Sequence, residues 1–175
     1  MPSKIYLNLF SQYKGDFRAM PAYVNGACGI KWVSVYPDNA PQGLKTVLGI
    51  IIYSDPETGY PLAIMDGTAI TDMRTGAAGG IAAKYLAGKN SMSLGLIGAG
   101  AQSRTQLLAI REAISTIKEV KVVEPKPDFR ALATRLAEGM KKGTGLNIWP
   151  VETIEEAANA DIVVTCTPVR AVGQK

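Results

Sequence analysis

The sequence predicts an α/β fold in two parts, an antiparallel sheet followed by a parallel sheet with helices packed on it. Three observations carry that prediction. Up to about residue 60 the chain reads as short strands separated by turn clusters. From about residue 91 strand and helix patterns alternate, which is the order of a parallel sheet. Between them, over 68–87, an Ala-dense run carries apolar residues at helical spacing.

Each element has its own signal. Residues 4–10 alternate apolar and polar, 15–20 and 29–35 are short apolar or mixed runs, and 47–53 is a β-branched run of the kind buried in a sheet. Tyr36-Pro-Asp-Asn-Ala-Pro-Gln-Gly43 and Ser54-Asp-Pro-Glu-Thr-Gly59 are turn clusters. The second lies between the apolar runs 50–53 and 61–65 and signals a hairpin. Thr71 or Asp72 can cap the start of the helix over 68–87, and Gly88-Lys-Asn-Ser91 ends it. Strands are then expected at 93–97, 120–123, 146–149 and 162–165, with helices at 101–113, 128–142 and 153–158. A doubly wound sheet has about six strands, so the second half is expected to be the first four strands of an incomplete domain. The expected division is 1–66, a connecting helix in 67–90, and 91–175.

Composition narrows the chemistry. The 175 residues contain no histidine, which excludes Ser-His-Asp triads, His metal sites and imidazole acid–base catalysis. Cys28 and Cys166 match no metal or redox spacing and read as reduced, buried thiols. Lys plus Arg number 19 and Asp plus Glu 15, a net charge of +4 spread along the chain with no basic run. That pattern gives no footprint for nucleic acid. No apolar stretch reaches the length of a bilayer span, and Met-Pro-Ser-Lys lacks the organisation of a signal peptide, so a cytoplasmic location without a membrane partner is expected.

Leu94-Gly-Leu-Ile-Gly98-Ala-Gly100-Ala-Gln-Ser103 is an apolar strand running through Gly-x-Gly-x-x-Ser into a helix. Gly98 permits a tight turn, Gly100 lets backbone approach a pyrophosphate, and small Ser103 allows close helix–strand contact. The anion then meets free N–H groups at a helix N-terminus. Glu124, ending the next strand, is placed to accept hydrogen bonds from the ribose hydroxyls, which favours NAD; Lys126 and Arg130 nearby keep NADP open. The plainer alternative is a tight turn beside a surface glutamate.

Lys4, Arg18 and Lys31 sit beside strand-like segments, and Lys31 interrupts a run that otherwise looks buried. A desolvated lysine can act as acid or base near neutral pH; a lysine on the solvent face of an edge strand would do neither. Arg74 opens Arg-Thr-Gly-Ala-Ala-Gly-Gly80, a small-residue segment that can admit a ligand or another backbone.

Segments from end to end then show a resemblance. Met-Pro-Ser-Lys-Ile-Tyr, Asp-Phe-Arg-Ala-Met-Pro-Ala-Tyr, Gly-Ile-Lys-Trp-Val-Ser-Val-Tyr-Pro, Arg-Thr-Gly-Ala-Ala-Gly-Gly-Ile-Ala-Ala-Lys-Tyr-Leu-Ala, Gly-Ala-Gly-Ala-Gln-Ser and Asp161-Ile-Val-Val-Thr-Cys-Thr-Pro-Val-Arg170 resemble the ornithine cyclodeaminase/mu-crystallin family. Archaeal-type alanine dehydrogenases are the branch the chain resembles most. The resemblance implies an antiparallel substrate-binding and dimerisation domain followed by a Rossmann-type NAD-binding domain, both partial, in a homodimer. It implies that Arg18 and Lys31 hold an amino-acid or 2-oxo-acid carboxylate, that Lys31 also moves protons, and that Lys4 lies nearby. It further implies that Thr46, Arg74, Ala101 and Gln102 contact the dinucleotide, Glu124 binds ribose where relatives usually carry Asp, and Thr165 or its neighbour Thr167 lies along the cofactor. The activities implied are hydride transfer in the manner of alanine dehydrogenase, or ornithine cyclisation with NAD used catalytically. The alternatives are a non-catalytic, nucleotide-dependent binder, in the manner of mu-crystallin, or an inactive fragment. Relatives also begin earlier and continue past Lys175 through an aspartate thought to be catalytic, so the chain resembles the middle of such an enzyme.

Overall fold

A single Asn-Gly pair sets the first sheet. Asn25 and Gly26 both adopt positive φ, 49° and 81°, the conformation that a two-residue type I′ hairpin demands. They join β2 (Asp16–Val24) to β3 (Ala27–Val35), paired in unbroken register from Asp16↔Val35 to Val24↔Ala27. With β1 (Ile5–Asn8), β4 (Val47–Ser54) and β5 (Pro61–Asp66) these strands form an antiparallel sheet in sequence order. The computed structural model describes residues 3–167. Met1 and Pro2 of the first family segment, and Pro168, Val169 and Arg170 of the last, lie outside the described residues.

The chain divides into two compact units, Met1–Thr71 and Asp72–Lys175. The division falls inside α2 (Thr68–Leu86). In the first unit the β4–β5 hairpin forms around Asp55, whose carboxylate accepts from the N–H groups of Glu57 and Thr58. A four-residue helix, α1 (Phe10–Tyr13), follows β1, where an unbroken strand to residue 10 was expected. Asn8 Oδ1 accepts from the Phe10 N–H at 2.9 Å, and that local bond turns the chain out of the sheet. The 47–53 run is not buried as predicted: exposure alternates along β4, and Ile50 stays 51% exposed. A β-branched run reads alike whether one sheet face is covered or both, and within this unit the Ile50 face is open.

Neither Thr71 nor Asp72 caps α2, contrary to expectation. The helix starts earlier, with Asp66 Oδ1 accepting from the Thr68 N–H. Gly67 forces that start: its N–H donates to Gly49 O at 2.7 Å, and a Cβ on Gly49 would lie 3.2 Å from the Gly67 carbonyl carbon. Two glycines thus let the turn press onto β4.

The second unit is a four-stranded parallel sheet in the order β8-β7-β6-β9. Its strands are β6 (Ser93–Ile97), β7 (Glu119–Val123), β8 (Asn147–Pro150) and β9 (Ile162–Thr165). That order, 3-2-1-4, is the first four positions of the doubly wound order 3-2-1-4-5-6. Between them run α3 (Ala101–Ala113), α4 (Ala131–Thr144) and α5 (Ile154–Ala158). Leu94, Leu96, Leu107, Ile110, Val120, Val122, Leu136 and Ile148 are all essentially buried, which makes this half the main core. The helix expected from 128 starts at Ala131, because Pro127 first opens a 3-10 turn over Pro127–Phe129. Thr153 caps α5 in a reciprocal capping box with Glu156. No described helix is long and apolar enough to cross a membrane.

Asp161 ties the start of β6 to β9 through the N–H groups of Met92 and Ser93 and the Ser93 hydroxyl. Those donors hold its carboxyl below the usual range. Both cysteines are free and half-buried rather than buried. Burial pushes the Cys166 thiol up, against a smaller opposite pull from the Ser103 hydroxyl.

Candidate functional site

Strand register decides what the cations can do. Tyr6 pairs with Arg18 and Arg18 with Val33, while Met20 pairs with Lys31. Alternation along each strand therefore puts Arg18 and Lys31 on one sheet face, and extends that face to Lys4, two residues before Tyr6. Arg18 and Lys31 are both half-buried, whereas Lys4 is exposed. Lys31 Nζ donates to Thr71 Oγ1 at 3.0 Å, and the Thr71 hydroxyl donates in turn to Gly67 O at 2.6 Å. With its only proton committed to Gly67, Thr71 can only accept from the lysine. The seating of α2 on β4 thus holds the Lys31 head group. Arg18 is gripped by Asp16, Nε to Oδ1 at 2.6 Å and Nη2 to Oδ2 at 3.1 Å. That contact raises the Arg18 pKa further. Thr46 stands apart at the entry to β4, where its carbonyl accepts from the Tyr36 N–H.

In the second unit the glycine loop separates two reasons for being glycine. Gly98 has φ +99°, and a Cβ there would lie 3.0 Å from the Cys166 carbonyl carbon, so the protein's own backbone demands it. Gly100 has φ −78° and ψ −166°, open to any L-residue, and a Cβ on it would meet no protein atom within 4 Å. Among the described residues nothing needs Gly100 to be glycine. A ligand passing over the loop would, and the residues present therefore fit a pyrophosphate. No side chain caps α3; the Ser103 N–H donates to Gly100 O at 3.2 Å, so the N–H groups of Ala101 and Gln102 at the start of the helix are the ones placed to meet an anion. Ser103 is fully buried and donates to the Gly98 carbonyl, the close contact expected of it.

Glu124 reaches this loop. Its Oε2 accepts from the Ala99 N–H at 2.9 Å and its Oε1 from the Lys126 N–H at 3.2 Å. Beside it lies a shallow cleft of about 180 Å³ lined in part by Glu124, Arg130, Pro150 and Glu152. Of the two nearby cations, Arg130 pairs with Glu152 at 3.3 Å and Lys126 lies over the Phe129 ring.

Residues 1–173 match the ornithine cyclodeaminase/mu-crystallin family. The chain belongs to that family. It is 47% identical over 170 residues to the alanine dehydrogenase of Archaeoglobus fulgidus, covering 97% of this chain and 50% of that one. Among solved structures, the Thermococcus litoralis Δ1-pyrroline-2-carboxylate reductase, in complex with NADH and L-proline, superposes with a TM-score of 0.87 at 42% identity, over 94% of this chain and 50% of that one. An archaeal alanine dehydrogenase dimer with bound NAD gives 0.83 at 44% identity, over 95% and 49%. The chain thus spans about half the length of the relatives it matches.

Within the family fold, the site residues expected from sequence fall into two groups. Arg18 and Lys31 share a face of the first sheet, and Lys4 lies just before β1, two residues from Tyr6 on that face. Gly98, Gly100, Ala101, Gln102, Glu124, Lys126 and Thr165 gather where β6, β7 and β9 end. Gln102 at the start of α3 donates to Asp72 Oδ1 at 2.6 Å. Arg74, two residues along α2 from Asp72, is exposed. The small-residue segment after it admits another backbone, since a Cβ on Gly76 or Gly80 would strike the carbonyl of Thr105 or Ala109 in α3. Sequence reasoning missed Asp16, Tyr6, Thr71 and Asp72 as partners. Asp16 left a signal, because Asp-x-Arg on one strand points both side chains to the same face.

Proposed function

We propose that this chain carries the carboxylate-binding face and the dinucleotide-binding loop of an NAD-dependent amino-acid oxidoreductase. The preferred reading is alanine dehydrogenase-type interconversion of an L-amino acid and its 2-oxo acid. The observation that carries it is the pairing of Arg18 with Lys31 on one sheet face, in a chain whose glycine loop is open at Gly100. Bound nicotinamide would supply the hydride acceptor and donor. Arg18 would take the substrate carboxylate through charge-assisted hydrogen bonds. Lys31 Nζ would hold and move the proton released as water adds to the iminium. Gly98, Gly100, Ala101 and Gln102 would seat the pyrophosphate, with Arg74, Thr46 and Thr165 as further cofactor contacts. Glu124 would exchange its bond to Ala99 for one to a ribose hydroxyl. Arg130 is already engaged by Glu152, which favours NAD over NADP.

Calorimetry with NADH and then NADPH tests the loop, and NADH is expected to bind more tightly. Turnover tests the reaction: L-alanine with NAD should yield NADH and ammonia together. Ammonia and proline from ornithine with no net NADH would replace this reading with a cyclodeaminase. Reduction of Δ1-pyrroline-2-carboxylate alone would replace it with a reductase, the alternative that the likeness to the T. litoralis enzyme supports.

A homodimer through the first sheet belongs to the same reading. Ile5, Leu7, Trp32, Ile50, Ile52 and Ile64 lie on the face opposite the cations, each at least 36% exposed. An apolar area of this kind marks an interface, and the archaeal alanine dehydrogenase relative is a dimer. Light scattering should show a dimer, and Ile50→Lys should convert it to monomer; an unchanged mass would remove this face from the interface.

A further inference from the structure

Asp16 keeps only 6% of its surface, yet it carries a charge, and that charge is spent on one neighbour. A guanidinium has five N–H donors in a fixed plane. The two contacts from Arg18 to Asp16 use the Nε–H and one Nη2–H, which is the side edge of the fork. The other Nη2–H and one Nη1–H, parallel along the end edge, remain. Tyr6 lies across from Arg18 in the β1–β2 register, its ring centroid 5.3 Å from the Arg18 Cζ, and fixes the plane from one face. The Arg18 side chain is still 31% exposed, so its head group can be reached.

We propose that Asp16 is a positioning residue that grips Arg18 by its side edge and thereby presents the end edge to the substrate carboxylate. This rests on the reading of Arg18 as the carboxylate clamp. The buried pair is close to neutral, so recognition at Arg18 depends on the direction of two N–H groups. Asn in place of Asp16 keeps the size and can still accept from Nε. Its amide NH2 would then face Nη2, donor against donor, and turn the end edge away.

The test is a double-mutant cycle on kcat/KM for L-alanine with Asp16→Asn, Arg18→Lys and the pair, in the full chain. Asp16→Asn is expected to lower kcat/KM about tenfold and to have no further effect once Arg18 is lysine, which has no fork to orient. An equal loss in both backgrounds would mean that Asp16 serves the fold alone and would overturn the proposal. So would unchanged kcat/KM in Asp16→Asn beside a clear loss in Arg18→Lys. If Arg18→Lys itself loses nothing, the clamp reading fails, which the cycle shows separately. Nitrogen-15 NMR gives a readout free of turnover and of variant folding. The Arg18 Nε–H of the unmodified chain should exchange slowly with solvent, and fast exchange would overturn the grip.

Discussion

Gly100→Ala is expected to weaken NADH binding by roughly 5- to 150-fold while leaving the melting temperature within about 3 °C of the parent. The two halves of that expectation have separate causes. On the stability side, φ −78° and ψ −166° suit alanine, and its Cβ would meet nothing within 4 Å among the described residues. Alanine is a poorer N-cap than glycine, which costs about 0.5–1 kcal/mol, and the stiffer unfolded chain returns about as much. On the binding side, the methyl would stand where the pyrophosphate must approach the backbone, and overpacking of that kind costs about 1–3 kcal/mol. Gly98→Ala should give the opposite signature, losing stability first, because positive φ and the neighbouring Cys166 backbone both reject a side chain. Calorimetry beside thermal melts reads both variants. If Gly100→Ala bound NADH normally, the loop would be a plain strand-to-helix turn and the dinucleotide reading would go with it.

The contrast between those two glycines also explains what a sequence can and cannot disclose here. Gly98 and Gly100 look alike as letters, and only backbone angles and neighbours separate the one the fold requires from the one a ligand requires. Strands β6 and β9 are legible as apolar runs of the kind a parallel sheet needs, and β7 is legible through its valines although Lys121 interrupts it. The Asn25-Gly26 hairpin is absent from the sequence reading: the expected runs 15–20 and 29–35 stop short of it, whereas the ladder continues through Pro21 and Gly29 to Val24↔Ala27. The burial of β4 was not readable, because what covers a sheet face lies elsewhere in the chain. The same holds at the site. Lys31 could be picked out as a cation in an apolar run, but its acceptor Thr71 is 40 residues away and depends on where Gly67 lets α2 begin.

Lys31→Ala should lower kcat by about 10²- to 10⁴-fold and leave NADH affinity within about twofold of the parent. The affinity should hold because the glycine loop belongs to the other compact unit. Alanine, however, removes two things at once, a positive charge beside the substrate carboxylate and a proton carrier. Lys31→Arg separates them. Arginine keeps the charge and can still donate to the Thr71 oxygen, but it stays protonated at any working pH and cannot pass a proton on. Arginine should therefore raise KM much less than alanine does while lowering kcat nearly as far. Retained turnover in Lys31→Ala would remove the lysine from proton transfer and leave it as a carboxylate contact beside Arg18. Normal kcat in Lys31→Arg would say the same in a milder form, that charge at this position suffices and the proton travels by another group. Thr71→Val adds a control from the supporting shell. It removes the acceptor at 3.0 Å, so a real proton carrier should lose part of its rate without losing its charge.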